Sequence, residues 1–220
     1  INISEPEPEP MTRDELLRYS CEITVDPDTV HTWLVLSEGN RKVTNTYSTE
    51  RYPSHPDRFT GCEQVLSKES LTGRCYWEVE WTDTETTVAV AYKNIRRLGR
   101  GDQCIFGHND RSWNIRRVGS GDPCIFGNND RSWALKYNQH CYSYRKKYQL
   151  WHNNESISIP GPSSSRVGVF LDHRAGILSF YSISESMTFL YRLQTTFTKP
   201  LHAGVLLHGY NDTAEFCQLE

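Results

Sequence analysis

Apolar and polar residues alternate with a period of two through much of this chain, the repeat of a strand with one buried face. In YWEVEW (residues 76–81) Trp77, Val79 and Trp81 fall on one face and Glu78 and Glu80 on the other, and the apolar run TVAVAY (87–92) follows directly. Together these two runs predict a hairpin. A second hairpin is predicted where RVGVFL (166–171) and ILSFY (177–181) flank Asp172-His173-Arg174-Ala175-Gly176, a turn whose glycine tolerates positive φ. The one helical pattern is short. Thr12 precedes Arg13, Asp14 and Glu15, which puts acidic residues in a first turn and turns Leu16, Leu17 and Tyr19 toward a core. Many short strands with turns between them, and almost no helix, predict an all-β fold of two antiparallel sheets packed as a sandwich.

Residues 1–11 are dominated by Glu and Pro, a stiff, charged composition that reads as a linker, so the domain is expected over 12–220. Its most unusual feature is a tandem duplication. RRLGRGDQCIFGHNDRSWNI (96–115) is followed by RRVGSGDPCIFGNNDRSWAL (116–135), with 14 of 20 positions identical. Two copies are too few for a solenoid, whose units each add a core layer. One strand position is available to both. In the second copy Trp133, Leu135 and Tyr137 alternate onto one face, whereas the first runs from Trp113 and Ile115 into the charged Arg117. The second copy is therefore expected in the sheet, followed by pairing of residues 136–144, and residues 96–115 are expected as an exposed loop or accessory hairpin, with Trp113 less buried than Trp133.

Composition narrows the function classes. With 37% hydrophobic residues, 220 residues can bury a core without metals or disulfides, and a net charge of −3 gives no general footprint for nucleic acid or an anionic membrane. No apolar run approaches the roughly 20 residues that span a bilayer, and the opening INISEPEPEP lacks the regions of a signal peptide. Starting at Ile, it reads as a piece of a longer chain. Seven scattered cysteines, none in a CxxC or zinc-ligand pattern, suggest buried thiols in a reduced, cytosolic domain. Against that stand three glycosylation sequons, at Asn2, Asn154 and Asn211, which matter if the host protein is secreted. Eight histidines show no HExxH or paired spacing, Asp172 and His173 sit in a turn with no nucleophile motif, and Arg100-Gly101-Asp102 is a coincidence of the duplicated stretch. No catalytic residue, metal site or cofactor is expected.

Several stretches resemble one known family. TVDPDT and LVLSEGNRKV resemble its PRY segment, while CYWEVEW (75–81), NDRSWAL (129–135) and VFLDHRAGILSFYSI (169–183) are similar to the successive signatures of its SPRY segment, in order over residues 12–220. The phrasing LTGRCYWEVEW, GPSSSRVGV and TTFTKPL resembles PRY/SPRY (B30.2) domains of tripartite-motif ubiquitin ligases, NACHT/leucine-rich-repeat immune receptors and stonustoxin-type cytolysins. The resemblance implies a bent, concanavalin-like jelly-roll sandwich that binds a protein ligand through loops at one end. It also implies a pocket near Lys136, Asn138 and Tyr210. Asp57, Arg58 and Phe59, in the long loop TYSTERYPSHPDRF (46–59), and Trp151 and His152 join these as candidate partner contacts, because Trp, Tyr, Phe and Arg dominate interface energies.

Overall fold

The computed structural model describes residues 7–82, 85–98, 124–127, 129–139 and 148–220. Among these, one short helix, α1 (Arg13–Leu17), precedes strands β1 (Leu34–Ser37), β2 (Lys42–Asn45), β3 (Gln64–Leu66), β4 (Arg74–Trp81), β5 (Glu85–Tyr92), β6 (Ser132–Asn138) and β7 (Tyr148–His152). Then follow β8 (Glu155–Ile159), β9 (Arg166–Asp172), β10 (Ile177–Ile183), β11 (Met187–Gln194), β12 (Leu201–Leu207) and β13 (Thr213–Phe216). They form two antiparallel sheets, a seven-stranded one ordered β1-β2-β13-β4-β9-β10-β11 and a six-stranded one ordered β3-β12-β5-β6-β7-β8. The all-β sandwich with a short N-terminal helix is thus the observed architecture.

The main core lies between the sheets, where Trp77, Val79 and Trp81 of β4 share one cluster with Val88 and Val90 of β5 and Trp133, Leu135 and Tyr137 of β6. Here the first predicted hairpin fails. β4 pairs with β9 and β13, and β5 with β12 and β6, so these consecutive strands sit in opposite sheets. Alternation fixes which side chains point inward, and it is satisfied equally by two strands in one sheet or by two strands facing across the sandwich. The second hairpin is as expected: β9 pairs with β10, and Gly176 has φ +72° with the Thr195 carbonyl occupying the space a side chain would need.

Both outer faces carry smaller clusters. On the seven-stranded sheet α1, capped by a reciprocal Thr12–Glu15 box, lays Leu16 on Tyr76, Phe170, Tyr181 and Ile183, with Leu17 and Tyr19 at the margin. This cover also buries Glu78, which accepts from Arg13 Nε (2.8 Å), Arg166 Nη1 (3.2 Å) and the Tyr76 hydroxyl (2.7 Å). The described end of the Glu/Pro stretch lies against the same sheet: Arg192 pairs with Glu9 at 2.6 Å, and Arg74 donates to the Pro8 carbonyl at 2.9 Å. On the six-stranded sheet, the small side chains of Ala89, Ala91 and Ala134 leave room for Phe59 and Phe126, which meet edge to face at 6.0 Å.

The second copy of the duplication supplies β6, as the alternation predicts. Tyr137 is buried and packs its ring 5.3 Å from Trp81 and 5.2 Å from Tyr148. The equivalent first-copy residue is Arg117, a charge that such a site could not pair. β6, which includes residues 136–138 of the stretch expected to pair next, lies between β5 and β7, and β7 begins at Tyr148, while residues 140–144 of that stretch lie outside the described residues. Residues 99–115, Trp113 included, lie outside the described residues. The head of the first copy is built into the domain, however, since the Arg97 carbonyl accepts from the Thr60 amide (3.1 Å) and its guanidinium lies 4.4 Å over Phe59. The fold therefore joins the start of copy one to the end of copy two. Because the copies are in tandem, removing either residues 96–115 or 99–118 restores one continuous copy. Either deletion should leave a domain of equal or slightly greater stability, since closing a longer loop costs only about 0.6 kcal/mol per doubling of length. Chemical denaturation of the two deletions checks this, and loss of folding in both would make the insert integral to the domain.

The cysteines depart from the reduced reading. Cys21 is bonded to Cys75 and Cys62 to Cys124, which leaves Cys217 free among the described residues. These pairs join positions 54 and 62 residues apart, brought together only by the tertiary fold.

Candidate functional site

On β6 and β7 the residues between the core-facing positions point to the outer face of the six-stranded sheet, so Lys136 and Trp151 emerge side by side there. The Lys136 ammonium stands 4.2 Å over the Trp151 ring, and the Trp151 indole donates to Gln149 Oε1 at 3.2 Å. Burial pulls the Lys136 pKa down to about 8, opposed by the charge of Glu85. Just beyond β12, His208 shares a 3.3 Å hydrogen bond with the Thr87 hydroxyl, and burial, reinforced by the Lys136 charge, pushes its pKa down to about 4.

The loops beside His208 build a ladder of rings. His31 meets Trp33 at 5.4 Å, Trp33 meets Tyr47 at 5.5 Å, and Tyr47 meets Tyr210 at 6.0 Å, while the Tyr47 hydroxyl donates to the His208 carbonyl at 2.7 Å. Tyr47 and Tyr210 remain 45% and 61% exposed, a large apolar area left facing solvent. Tyr47 also holds φ at +50°, a left-handed conformation that costs a bulky residue about 1–3 kcal/mol. Its amide is fixed by Asn45 Oδ1 at 3.2 Å. Exposed aromatic rings of this kind are among the residue types that dominate protein–protein contacts. Among the described residues no cluster of His, Cys, Asp or Glu could hold a metal ion.

The predicted contact residues thus separate into groups. Lys136 and Trp151 touch each other, Tyr210 ends the ladder, and Asn138 closes β6 opposite Glu85. His152 is half-buried, stacked on Trp133 at 4.5 Å, with Nδ1 2.8 Å from the Ser132 carbonyl. In the first loop Asp57 pairs with Lys93 at 3.3 Å, Arg58 is buried with its donors spent on the carbonyls of Pro27, Val30 and Pro53, and Phe59 is wholly buried. Tyr47, Trp33 and His208 were not singled out from the sequence. The signal available for them was the two tyrosines of the long loop and the closeness of His208 to Tyr210.

His208 gives the site a pH signature. Its folded pKa, about 4, lies below the ordinary 6.5, so the stability it contributes is complete above pH 6.5 and is lost as pH falls toward 4. His208→Gln should flatten that limb of a melting-temperature profile, and an unchanged limb would show that another group causes it.

Comparisons with known proteins now bear on this architecture. The PRY family model, described as the SPRY-associated domain, matches residues 23–71, and that of the SPRY domain matches residues 74–219. This chain belongs to the SPRY family. It is 36% identical to mouse (Mus musculus) tripartite motif-containing protein 16 over 204 residues, 91% of this chain and 32% of that protein. Stonustoxin subunit alpha of Synanceia horrida is 34% identical over 192 residues, 86% of this chain and 24% of the toxin subunit. The chain therefore spans about a third or less of these relatives. Among solved structures, stonustoxin superposes with a TM-score of 0.76 at 30% identity, over 94% of this chain and 30% of that one. The TRIM65 PSpry domain superposes with a TM-score of 0.73 at 26% identity, over 97% of this chain and all of that one. The SPRY domain is a protein-interaction module, and the PRY/SPRY assignment made from the sequence motifs holds.

Proposed function

We propose that this SPRY domain recognises a protein ligand through the surface formed by Lys136, Trp151, Asn138 and the Tyr47–Tyr210 end of the ring ladder, as the ligand-sensing part of a ubiquitin-ligase or innate-immune host in the cytoplasm. The observation that carries the reading is the exposed ladder anchored on the His208 carbonyl next to a lysine stacked on an indole. The likeness to tripartite motif-containing protein 16, and to the TRIM65 PSpry domain over its whole length, supports that kind of host. Any catalysis belongs to other parts of the host, and nucleic acid and membrane are not direct ligands. Substituting Lys136, Asn138 or Tyr210 by Ala should weaken partner binding by about 1 kcal/mol or more at each hot spot with little change in melting temperature. Titration calorimetry against the captured partner measures this, and full affinity in all three variants would remove the site from this surface.

A second reading, a domain of a secreted cytolysin, is favoured by two observations. Disulfides belong to oxidising compartments, and the sequon residues Asn154 and Asn211 are both exposed, in turns. The likeness to stonustoxin subunit alpha agrees with it. Thiol titration and glycan analysis of the protein from its native source separate the readings: free thiols and bare asparagines support the cytoplasmic host, bonded cysteines and glycans the secreted one.

A further inference from the structure

The loop between β2 and β3 and the chain leaving β5 enclose a cleft of about 560 Å³, lined by His55, Arg58, Thr60, Arg96, Arg97 and the exposed Leu98. It shares no residue with the ring ladder. Its charge is one-sided. Arg58 is only 5% exposed, and its guanidinium is gripped by the Pro27, Val30 and Pro53 carbonyls, neutral acceptors that orient the group without cancelling its charge. Arg97 lies 4.4 Å over the Phe59 ring and donates from Nη2 to the Lys93 carbonyl at 2.7 Å, while its Nη1 is buried with no hydrogen-bond partner among the described residues. Among the described residues the neighbouring carboxylates make other pairs or act on Arg97 only through space. Asp57 pairs with Lys93 at 3.3 Å, Asp28 faces His55 at 3.7 Å, and Asp26 and Asp57 act on Arg97 only through space. Among the described residues none of Arg58, Arg96 and Arg97 is in an ion pair.

A desolvated guanidinium with a spare donor destabilises a fold unless something completes it, and burial does pull the Arg97 pKa down. The planar fork of Arg is complementary to an oxyanion, which it can hold through two parallel hydrogen bonds. We propose that this cleft binds an oxyanion, a phosphate monoester or a carboxylate, carried by an organic ligand, with Arg97 Nη1 and Arg96 as donors and Arg58 as a fixed positive charge. Leu98 and Pro56 supply an apolar rim for the organic part.

The test is a titration of the 220-residue chain with inorganic phosphate, O-phosphoserine and N-acetylaspartate at constant ionic strength, read by NMR at the arginine Nε–H groups. Saturable shifts at Arg97 and Arg58, weakened at least tenfold by Arg97→Gln, are expected. Arg96→Gln, an exposed position, should weaken binding without moving the melting temperature, which guards against a folding defect in the first variant. A response to the two phosphates alone identifies a phosphate-monoester site, and an equal response to N-acetylaspartate identifies a general acidic-group site. No saturable shift with any of the three, or shifts unchanged in both variants, overturns the proposal.

Discussion

Trp77→Ala should lower the stability of the domain by about 3–5 kcal/mol, the range for emptying a large buried aromatic site. Trp77 is among the largest wholly buried side chains, lies in the central strand β4 opposite Val169, and faces the main core between the sheets. The strands around it are hydrogen-bonded on both sides and cannot collapse into the gap. Its indole N–H has no hydrogen-bond partner among the described residues, so truncation removes packing without orphaning an acceptor. For a domain of this size the loss corresponds to a fall of roughly 10 °C in melting temperature. Trp77→Phe, which keeps part of the volume, should cost less. An unaltered melting temperature in the alanine variant would mean that the inward face of β4 has been assigned wrongly.

Glu78→Ala should cost about 3 kcal/mol, for an electrostatic reason. Glu78 is fully buried, and its removal leaves the Tyr76 hydroxyl without an acceptor and Arg13 and Arg166 without their shared carboxylate. Both arginines retain about a third of their side-chain exposure, so water recovers part of the loss, which keeps the figure at the low end for a broken buried pair. Hydrogen bonds from Arg13 and Tyr76 and the two guanidinium charges hold the Glu78 pKa below the ordinary carboxylate value against the opposing effect of burial. Its contribution is therefore present above the unfolded-state pKa and disappears as pH falls through the depressed folded value. Denaturation profiles of wild type and Glu78→Gln should converge in acid and separate above about pH 5. Parallel profiles at every pH would show that the charge of Glu78 contributes nothing.

These two neighbours on one strand show what was legible in the sequence. Alternation identified Trp77 as a core residue because its face is apolar throughout, and it identified the β9–β10 hairpin because a glycine turn separates two matching runs. The same alternation placed Glu78 on the second face of its strand without showing that α1 and Arg13 cover it, since that cover comes from sixty-five residues away. Period-two patterns also carry no information about which sheet a strand joins, so β4 and β5 read as a hairpin although they face each other across the core. The duplication was resolved by a single buried position, Tyr137 against Arg117. In the candidate site, Lys136, Trp151 and Tyr210 were found through the family resemblance and residue type. Arg58 and Phe59 looked like contacts for the same reason and lie buried, because an aromatic or an arginine in a long loop serves equally to pin that loop down.

The central claim is that ligands meet this domain at the ring ladder and the Lys136–Trp151 pair. Hydrogen–deuterium exchange of the domain, alone and bound to the partner it captures, tests that most directly. Binding should slow exchange around residues 45–48, 149–152 and 208–211 and leave the edge strands β8 and β11 unchanged. Protection confined to an edge strand or to α1, with the ladder untouched, would contradict it.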